Sequence, residues 1–395
     1  MFFNSILCGN KSTILYPNVY HDMSTSASYV ATYDGVNWLA GTFAGSSPGF
    51  YLRGKDGLWM RCTSTGVLSK SVNFINWTSV TSPISGVVTL AFNGTHFLIY
   101  KTSARNVAIS SDAVNWTTSL LPSTAAWTIP FWNGSHWLTV ASSTNQSAMS
   151  TDGINWVAGT LPATQVWYTP AWNGSYWLVI GNSDVSNVGA ISSDGINWTA
   201  INTGGCDYPV LWTGTSWFSQ LYPAYPKATI RSSDGINWFL TATSWDDAAY
   251  DFFMNMYGGN IYTDVGLSAD GAGVNQFSIS TDAGATWSTP VVLPTGYVWR
   301  SSVYTNNMFF KLGVPSSGSY VLAYSSDGIN WTITSVPITA ESANGSVFYY
   351  NGVYNLPNGA TNQLATSTDL INWSFITLPI TPSGVWKGMK LVPHG

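Results

Sequence analysis

Short apolar runs alternate with turn residues along this chain at a spacing that suits strands rather than helices. The clearest stretch is Trp167 to Ala200. It contains four β-type runs, ending near Trp172, Ile180, Ser192 and Ala200, separated by Asn173-Gly174, a polar loop and Asp194-Gly195. Aromatic and β-branched residues suit a pleated, half-buried surface, and Asn-Gly or Asp-Gly supplies the positive φ that a tight hairpin needs. The predicted unit is therefore a four-stranded antiparallel meander, strands A to D. The Asn-Gly turn joins A to B and the Asp-Gly turn joins C to D. The A–B hairpin recurs at Ala91–Leu98, Phe131–Leu138 and Leu211–Phe218.

The C–D turn recurs most faithfully. Copies of Ser192-Ser193-Asp194-Gly195-Ile196-Asn197-Trp198-Thr199 end at Trp38, Trp77, Trp116, Trp156, Trp198, Trp238, Trp287, Trp331 and Trp373, with a mean period of about 42 residues. A period of about 40–45 residues with several short strands per unit predicts propeller blades. The expected fold is all-β: one closed propeller over residues 1–395, with nine four-stranded blades favoured and eight as the alternative. Phe2–Leu7 resembles the end of a strand A entering a strand B, and Ser383–Leu391 resembles the start of a strand A. The C-terminal strand would then complete the N-terminal blade, closing the ring and removing the open sheet edges.

Two copies depart from the pattern. Asn73 and Phe74 stand where Asp and Gly are expected, which puts the clip in question there. The unit ending at Trp287 is longer, with Trp245-Asp246-Asp247 before its strand A and an insert around Gly266–Gly273.

Within the repeat, the carboxylate can accept amides two residues on while glycine takes the positive φ. The serine hydroxyl can cap the same turn. The tryptophan buries a large ring against a neighbouring unit and keeps an N–H for a carbonyl. Asp34, Asp112, Asp152, Asp194, Asp234, Asp282, Asp327 and Asp369 are accordingly read as structural. Ser280-Thr281-Asp282-Ala283-Gly284-Ala285-Thr286-Trp287 matches S-x-D-x-G-x-T-W, so the chain resembles the Asp-box (BNR-repeat) propellers, most copies being one residue shorter.

Composition narrows the partners. Charged residues make up 8% of the chain against a usual ~25%, so the surface is built from Ser, Thr, Asn and Gly. Net charge is −5 and the basic residues are scattered, leaving no stripe for a phosphate backbone, so nucleic acid is not an expected partner. The N-terminal residues lack a cationic region and a sustained apolar run, so neither a signal peptide nor membrane insertion is expected. Cys8, Cys62 and Cys206 have no metal-like spacing and read as buried free thiols. The many Asn-x-Ser/Thr triplets arise from the repeat itself.

In propellers the D–A and B–C connections gather on one face, which would place the box turns opposite the usual ligand face. On the expected ligand face, Trp127, Trp167, Phe252, Trp299 and Trp386 share one slot five residues before the strand A aromatic. They are candidate ligand-binding residues if their rings stack on sugars, and packing residues otherwise. Sialidases carry Asp boxes too, but they also need an arginine trio, a tyrosine nucleophile paired with a glutamate, and an aspartate acid/base. Arg53, Arg61, Arg105, Arg231 and Arg300 occupy no matching positions, and Glu341 is the single glutamate. His96 and His136 sit at equivalent repeat positions, followed by Tyr176 and Ser216, so they are substitutions at one place rather than a metal pair. No catalytic residue, metal or cofactor is expected.

The shorter box form resembles propeller proteins on bacteriophage particles, as tail-tip, fibre or capsid-decorating components. That resemblance implies a non-enzymatic virion protein, exposed on the particle, that binds host surface glycan or a neighbouring virion protein. The alternatives are a cellular or secreted (extracellular) lectin or docking propeller, and a sialidase-like glycoside hydrolase.

Overall fold

The computed structural model describes residues 18–22, 28–32, 37–42, 49–53, 57–63, 66–73, 76–86, 88–182, 188–205, 210–220, 229–241, 250–257, 260–268, 276–282, 284–289, 291–340, 347–359, 361–380 and 386–390. Asp34, Cys8, Cys206, Trp245, Glu341 and the strand expected at Phe2–Leu7 lie outside the described residues. All elements within them are β-strands, and none is a helix long and apolar enough to cross a membrane.

Blades are named here by their box tryptophan. Seven sheets, those of Trp77, Trp116, Trp198, Trp238, Trp287, Trp331 and Trp373, are four-stranded antiparallel blades made of strands consecutive in the chain. This corrects the expectation of nine such blades, or eight. The remaining two sheets are built differently. Around Trp156 the sheet has five strands, because strand A is split into Ala126–Trp127 and Phe131–Trp132, both paired with Trp137–Ser142. Pro130 lies in the break and has no amide to continue the ladder. The sheet of Trp38 joins Asn18–Asp22, Ser28–Thr32 and Trp38–Thr42 to the distant strand Trp386–Lys390, in the order 38–42, 28–32, 18–22, 386–390.

The chain divides into two compact units. One comprises residues 1–48, 71–78 and 293–395, the other 49–70 and 79–292. In the second, the Trp116, Trp156, Trp198, Trp238 and Trp287 sheets follow one another, and cores form where neighbours meet. Leu98, Tyr100 and Val107 of the Trp116 blade pack with Trp127, Trp137, Ala141 and Ala148 of the next sheet. The first unit repeats this plan on a smaller scale: Phe310, Leu312 and Leu322 pack with Tyr354, Leu356 and Ala365.

Strand position explains the pattern of burial. The B strands Phe97–Tyr100 and Trp177–Ile180 are buried at every residue, because both of their faces are covered. The D strands Thr117–Leu120, Thr332–Ser335 and Ser374–Thr377 are mostly exposed and rich in Ser and Thr. Short polar outer strands of this kind discourage edge-to-edge pairing. Cys62 is a free thiol inside this packing; its Sγ donates to Val88 O at 2.9 Å, and burial pushes its pKa up to about 11 while Arg61 pulls the other way.

The repeated turn is closed by its own side chains. Asp194 Oδ1 accepts from Ser192 Oγ (3.0 Å), Ile196 N (2.9 Å) and Asn197 N (2.8 Å), while Oδ2 accepts from Asn197 Nδ2 at 2.7 Å. The same set recurs at Asp112, Asp152, Asp234, Asp327 and Asp369. In the longer form, Thr286 replaces the asparagine, giving Asp282 its amide at 2.8 Å and its hydroxyl at 2.6 Å. The copy at Asn73 also closes, since Asn73 Oδ1 accepts from Ser71 Oγ and Asn76 N. The sequence pattern spoke against that clip, but an amide oxygen serves as well as a carboxylate for the Oδ1 half of the set.

The turn also ties one blade to the next. Ser147 Oγ of the Trp156 sheet donates to Gly195 O at 3.1 Å and accepts from Trp198 Nε1 at 3.0 Å. Glycine in the turn is required by space as well as by φ. At Gly284 (φ +81°) a Cβ would lie 2.2 Å from Cε2 of Phe218, a ring buried in the preceding blade. Gly284→Ala is therefore expected to lower stability by about 2–4 kcal/mol, since the left-handed backbone and the overpacking both penalise it. At Gly174 (φ +99°) nothing stands within 4 Å, and Gly174→Ala should cost only about 1 kcal/mol. Equal shifts of the two urea midpoints would refute the steric part of this account.

Candidate ligand grooves on the turn face

Two clefts in the second unit lie among the A–B and C–D turns, at the opposite end of the blades from the expected ligand face. Each is built by two successive sheets. The first, of about 270 Å³, is lined by Asn133, Ser135, His136 and Met149 of the Trp156 sheet and by Trp172, Trp177, Ser193 and Asp194 of the Trp198 blade. The second, of about 510 Å³, is lined by Asn93, Thr95, His96 and Ile109 of the Trp116 blade and by Trp132, Thr151 and Asp152 of the next sheet, among others. Position by position the two sets correspond: an asparagine, a hydroxyl, a histidine, an apolar side chain, a tryptophan, a second hydroxyl and a box aspartate.

The A–B turn orders its own histidine. Asn133 Oδ1 accepts from Ser135 N (3.0 Å), Ser135 Oγ (3.1 Å) and His136 N (2.8 Å), and Ser135 Oγ meets His136 Nδ1 at 2.7 Å. The hydroxyl has one proton and gives it to Asn133, so we assign Nδ1 as the donor in that contact. Nε2 is thereby left at the other edge of the ring. Asn93, Thr95 and His96 repeat this geometry, with the hydroxyl to Nδ1 distance 2.9 Å.

Each groove tryptophan is half-buried and leans on a fully buried partner. Trp172 and Trp177 have ring centroids 4.9 Å apart at 52°, and Trp132 and Trp137 are 5.2 Å apart at 54°. The buried ring fixes the outer one, which is rigid apolar surface at the rim of a polar turn.

The box aspartates at the far wall are strongly acidic. For Asp194, burial alone would raise the pKa, but the amides of Asn197 and Ile196, the Asn197 side chain and Ser192 outweigh it and hold the carboxyl at about 2. Asp152 is held at about 2 by the equivalent set against the same opposing effect of burial. Both are ionised near neutral pH, with Oδ1 fully engaged and Oδ2 holding one partner.

The third equivalent position carries a different side chain. Tyr176 replaces the histidine, and its Oη donates to the backbone carbonyl of Asp234 in the next blade at 2.7 Å. Its ring lies 6.1 Å from Trp217 and against Gly235. One repeat further on, Ser216 is buried and accepts from Arg231 Nε at 3.0 Å.

The aromatic residues picked out from the sequence lie elsewhere. Trp127, Trp167 and Trp299 are 3%, 1% and 8% exposed, and their Nε1 atoms donate back to Ser123 O, Pro294 O and Ala163 O within their own segments, Trp127 to the first, Trp299 to the second and Trp167 to the third. Their rings are packing surface and present no open face. Phe252 lies in the strand Tyr250–Tyr257 and Trp386 in Trp386–Lys390, where the structure describes only the backbone. Asp34 lies outside the described residues; the other seven box aspartates close their turns as above. Sequence reasoning passed over the groove tryptophans because Trp132 and Trp172 were read only as strand A landmarks. The available signal was that each follows, one repeat later, an Asn-Gly turn carrying a histidine: His96 before Trp132 and His136 before Trp172. Among the described residues no three of His, Cys, Asp and Glu cluster in a way that would hold a metal.

No family model matches this chain, and no curated protein matches it in sequence. Solved structures do. A eukaryotic initiation factor superposes with a TM-score of 0.58 at 10% identity, covering 96% of this chain and 100% of that one. Dihydro-heme d1 dehydrogenase NirN in complex with DHE gives 0.55 at 8% identity over 95% of this chain and 75% of the other. Apo AztD from Citrobacter koseri gives 0.51 at 10% identity over 95% and 98%. At such identities the likeness establishes the fold alone, a β-propeller, and its bearers differ in role.

Proposed function

We propose that this chain is a non-enzymatic binding propeller, a bacteriophage virion component that adheres to host surface glycan or to a neighbouring virion protein. The observation that carries the reading is the commitment of the carboxylates. Among residues whose side chains are described, every carboxylate is a box aspartate bound by its own turn. Glycoside cleavage needs two carboxyls facing each other across a bond, one of them holding a proton near neutral pH. Ionised, turn-bound aspartates one per blade supply neither. Rigid blades, polar outer strands and a charged fraction of 8% suit a recognition surface exposed outside a cell. The virion setting rests on the resemblance of the repeat.

The test is antibody labelling of purified phage particles from the source lysate, with the recombinant chain incubated in parallel with labelled oligosaccharides. Label at symmetry-related positions with no sugar released is the expected result. Particles free of the chain would overturn the virion setting, and released sugar would overturn the non-enzymatic one.

A further inference from the structure

Two grooves of the same chemistry, one blade apart, with a third closed by a single tyrosine, point to a repeated ligand site. We infer that each groove binds one pyranose sugar unit, and that Tyr176 occupies the corresponding place in the next pair of blades. The inference deepens the binding reading and does not depend on the virion setting.

Three features select a sugar. The platform is a half-buried indole braced from behind, Trp132 by Trp137 and Trp172 by Trp177, which leaves one rigid apolar face for the C–H face of a ring. Around it stand groups that both donate and accept: the amide of Asn133, the hydroxyls of Ser135 and Ser193, the imidazole of His136 and the free capacity of Asp194 Oδ2. A purely apolar ligand would bury these groups without partners, which is unfavourable. The third feature is charge. The ionised aspartate disfavours an anion, and its negative charge is already offset by the donors of its own turn, so a cation gains little there. A neutral polyol with one apolar face satisfies all three. Volumes of about 270 and 510 Å³ belong to small-ligand sites rather than to protein docking surfaces.

The tyrosine supplies the internal comparison. At 96 and 136 the imidazole stops short and a cleft remains, whereas at 176 the longer phenol crosses to Asp234 O and fills it. Because the fold tolerates tyrosine at this repeat position, His96→Tyr and His136→Tyr should close a groove without unfolding a blade. Tyr176→His should open one.

The experiment is isothermal titration and saturation-transfer NMR of the full chain with glucose, galactose, mannose, rhamnose and N-acetylglucosamine and their disaccharides. We expect two sites per chain for at least one of these. Trp172→Ala or His136→Tyr should leave one site, with at least a tenfold loss at the altered groove. The double variant His96→Tyr/His136→Tyr should leave none, and Tyr176→His should add a third site. Melting curves run alongside identify any variant that fails to fold, and the tyrosine variants then carry the test. Unchanged binding in the folded double variant would overturn the groove assignment while leaving glycan binding as such intact. Binding of choline or lysine with none of the sugars would overturn it in favour of a cation site. If no sugar binds yet the chain labels particles, the groove assignment fails and the virion reading stands.

Discussion

Replacing Trp137 with alanine is expected to lower the stability of the second unit by about 3–5 kcal/mol, the range for removing a buried aromatic ring. The ring is fully buried between the Trp116 and Trp156 sheets, against Trp132 on one side and the turn at Gly153 on the other. The residues that pack with it come from two separate sheets, so they cannot readily collapse into the space left behind. Hydrogen bonding contributes nothing to this loss, because Trp137 Nε1 is buried without a partner. Trp137→Phe should therefore cost only about 1 kcal/mol, as it removes area but no hydrogen bond. Ile236→Ala, at a side chain 52% exposed in a box turn, should shift the urea midpoint within about 0.5 kcal/mol. A phenylalanine variant as unstable as the alanine one would mean that the indole N–H matters and that the packing account is wrong.

Acid should unfold this protein cooperatively through its turns. In Asp152, Asp194, Asp234 and Asp282, burial opposes ionisation, but the hydrogen bonds of the turn outweigh it and bring the pKa to about 2. Asp112, Asp327 and Asp369 are depressed further, chiefly by the amides of Asn115, Asn330 and Asn372. In the unfolded chain an aspartate titrates near ~3.9. A folded pKa below the unfolded one means that the stabilisation is fully present above about pH 4 and is lost as pH falls toward 2. The melting temperature should hence be insensitive to these groups from pH 7 to about 5 and drop steeply between about pH 4 and 2.

Asp194→Asn separates the turn from general charge effects. An asparagine keeps the Oδ1 acceptor, as Asn73 does, but sets its own NH₂ against Asn197 Nδ2, where the carboxylate accepts at 2.7 Å. Because the group is largely exposed, the loss at pH 7 should be about 1 kcal/mol, below the usual worth of a charged hydrogen bond. The difference from wild type should narrow as pH falls from about 4 toward 2, as Asp194 itself becomes protonated. A gap that stays constant from pH 7 to 2 would rule out the carboxylate as its source.

The turn was legible in the sequence because its chemistry is local. Ser192, Asp194, Gly195 and Asn197 bond to one another within a few residues of chain, so their order alone implies the geometry. The same locality explains why Asn73 was misjudged: one letter changed, yet the oxygen that organises the turn remained. The hairpin register was legible for a similar reason, since Asn-Gly and Asp-Gly fix which residues face each other across the strands.

The candidate site was not legible. Trp127, Trp132, Trp167 and Trp172 look alike in sequence, each flanking strand A of a repeat. Trp127 and Trp167 are enclosed, while Trp132 and Trp172 keep one face at the rim of a groove. What differs is how the preceding blade, about 40 residues away in the chain, covers the two ends of strand A.

By itself, then, the sequence determined the all-β class, the period, the four-strand meander and the clip that closes each C–D turn, because strand alternation and turn chemistry act between residues close in the chain. The pairing of the strand at 386–390 with the sheet of Trp38 was also legible, in the incomplete units at the two ends of the chain, whereas tertiary structure alone decided that seven sheets follow the simple four-strand plan and that one strand A breaks near Pro130. It also decided that His96 and His136 each border a groove, while Tyr176 at the equivalent place bridges to Asp234 O of the next blade. Those outcomes depend on which side chains meet across separate strands and blades, and burial, unlike a turn, is set by neighbours distant in the chain.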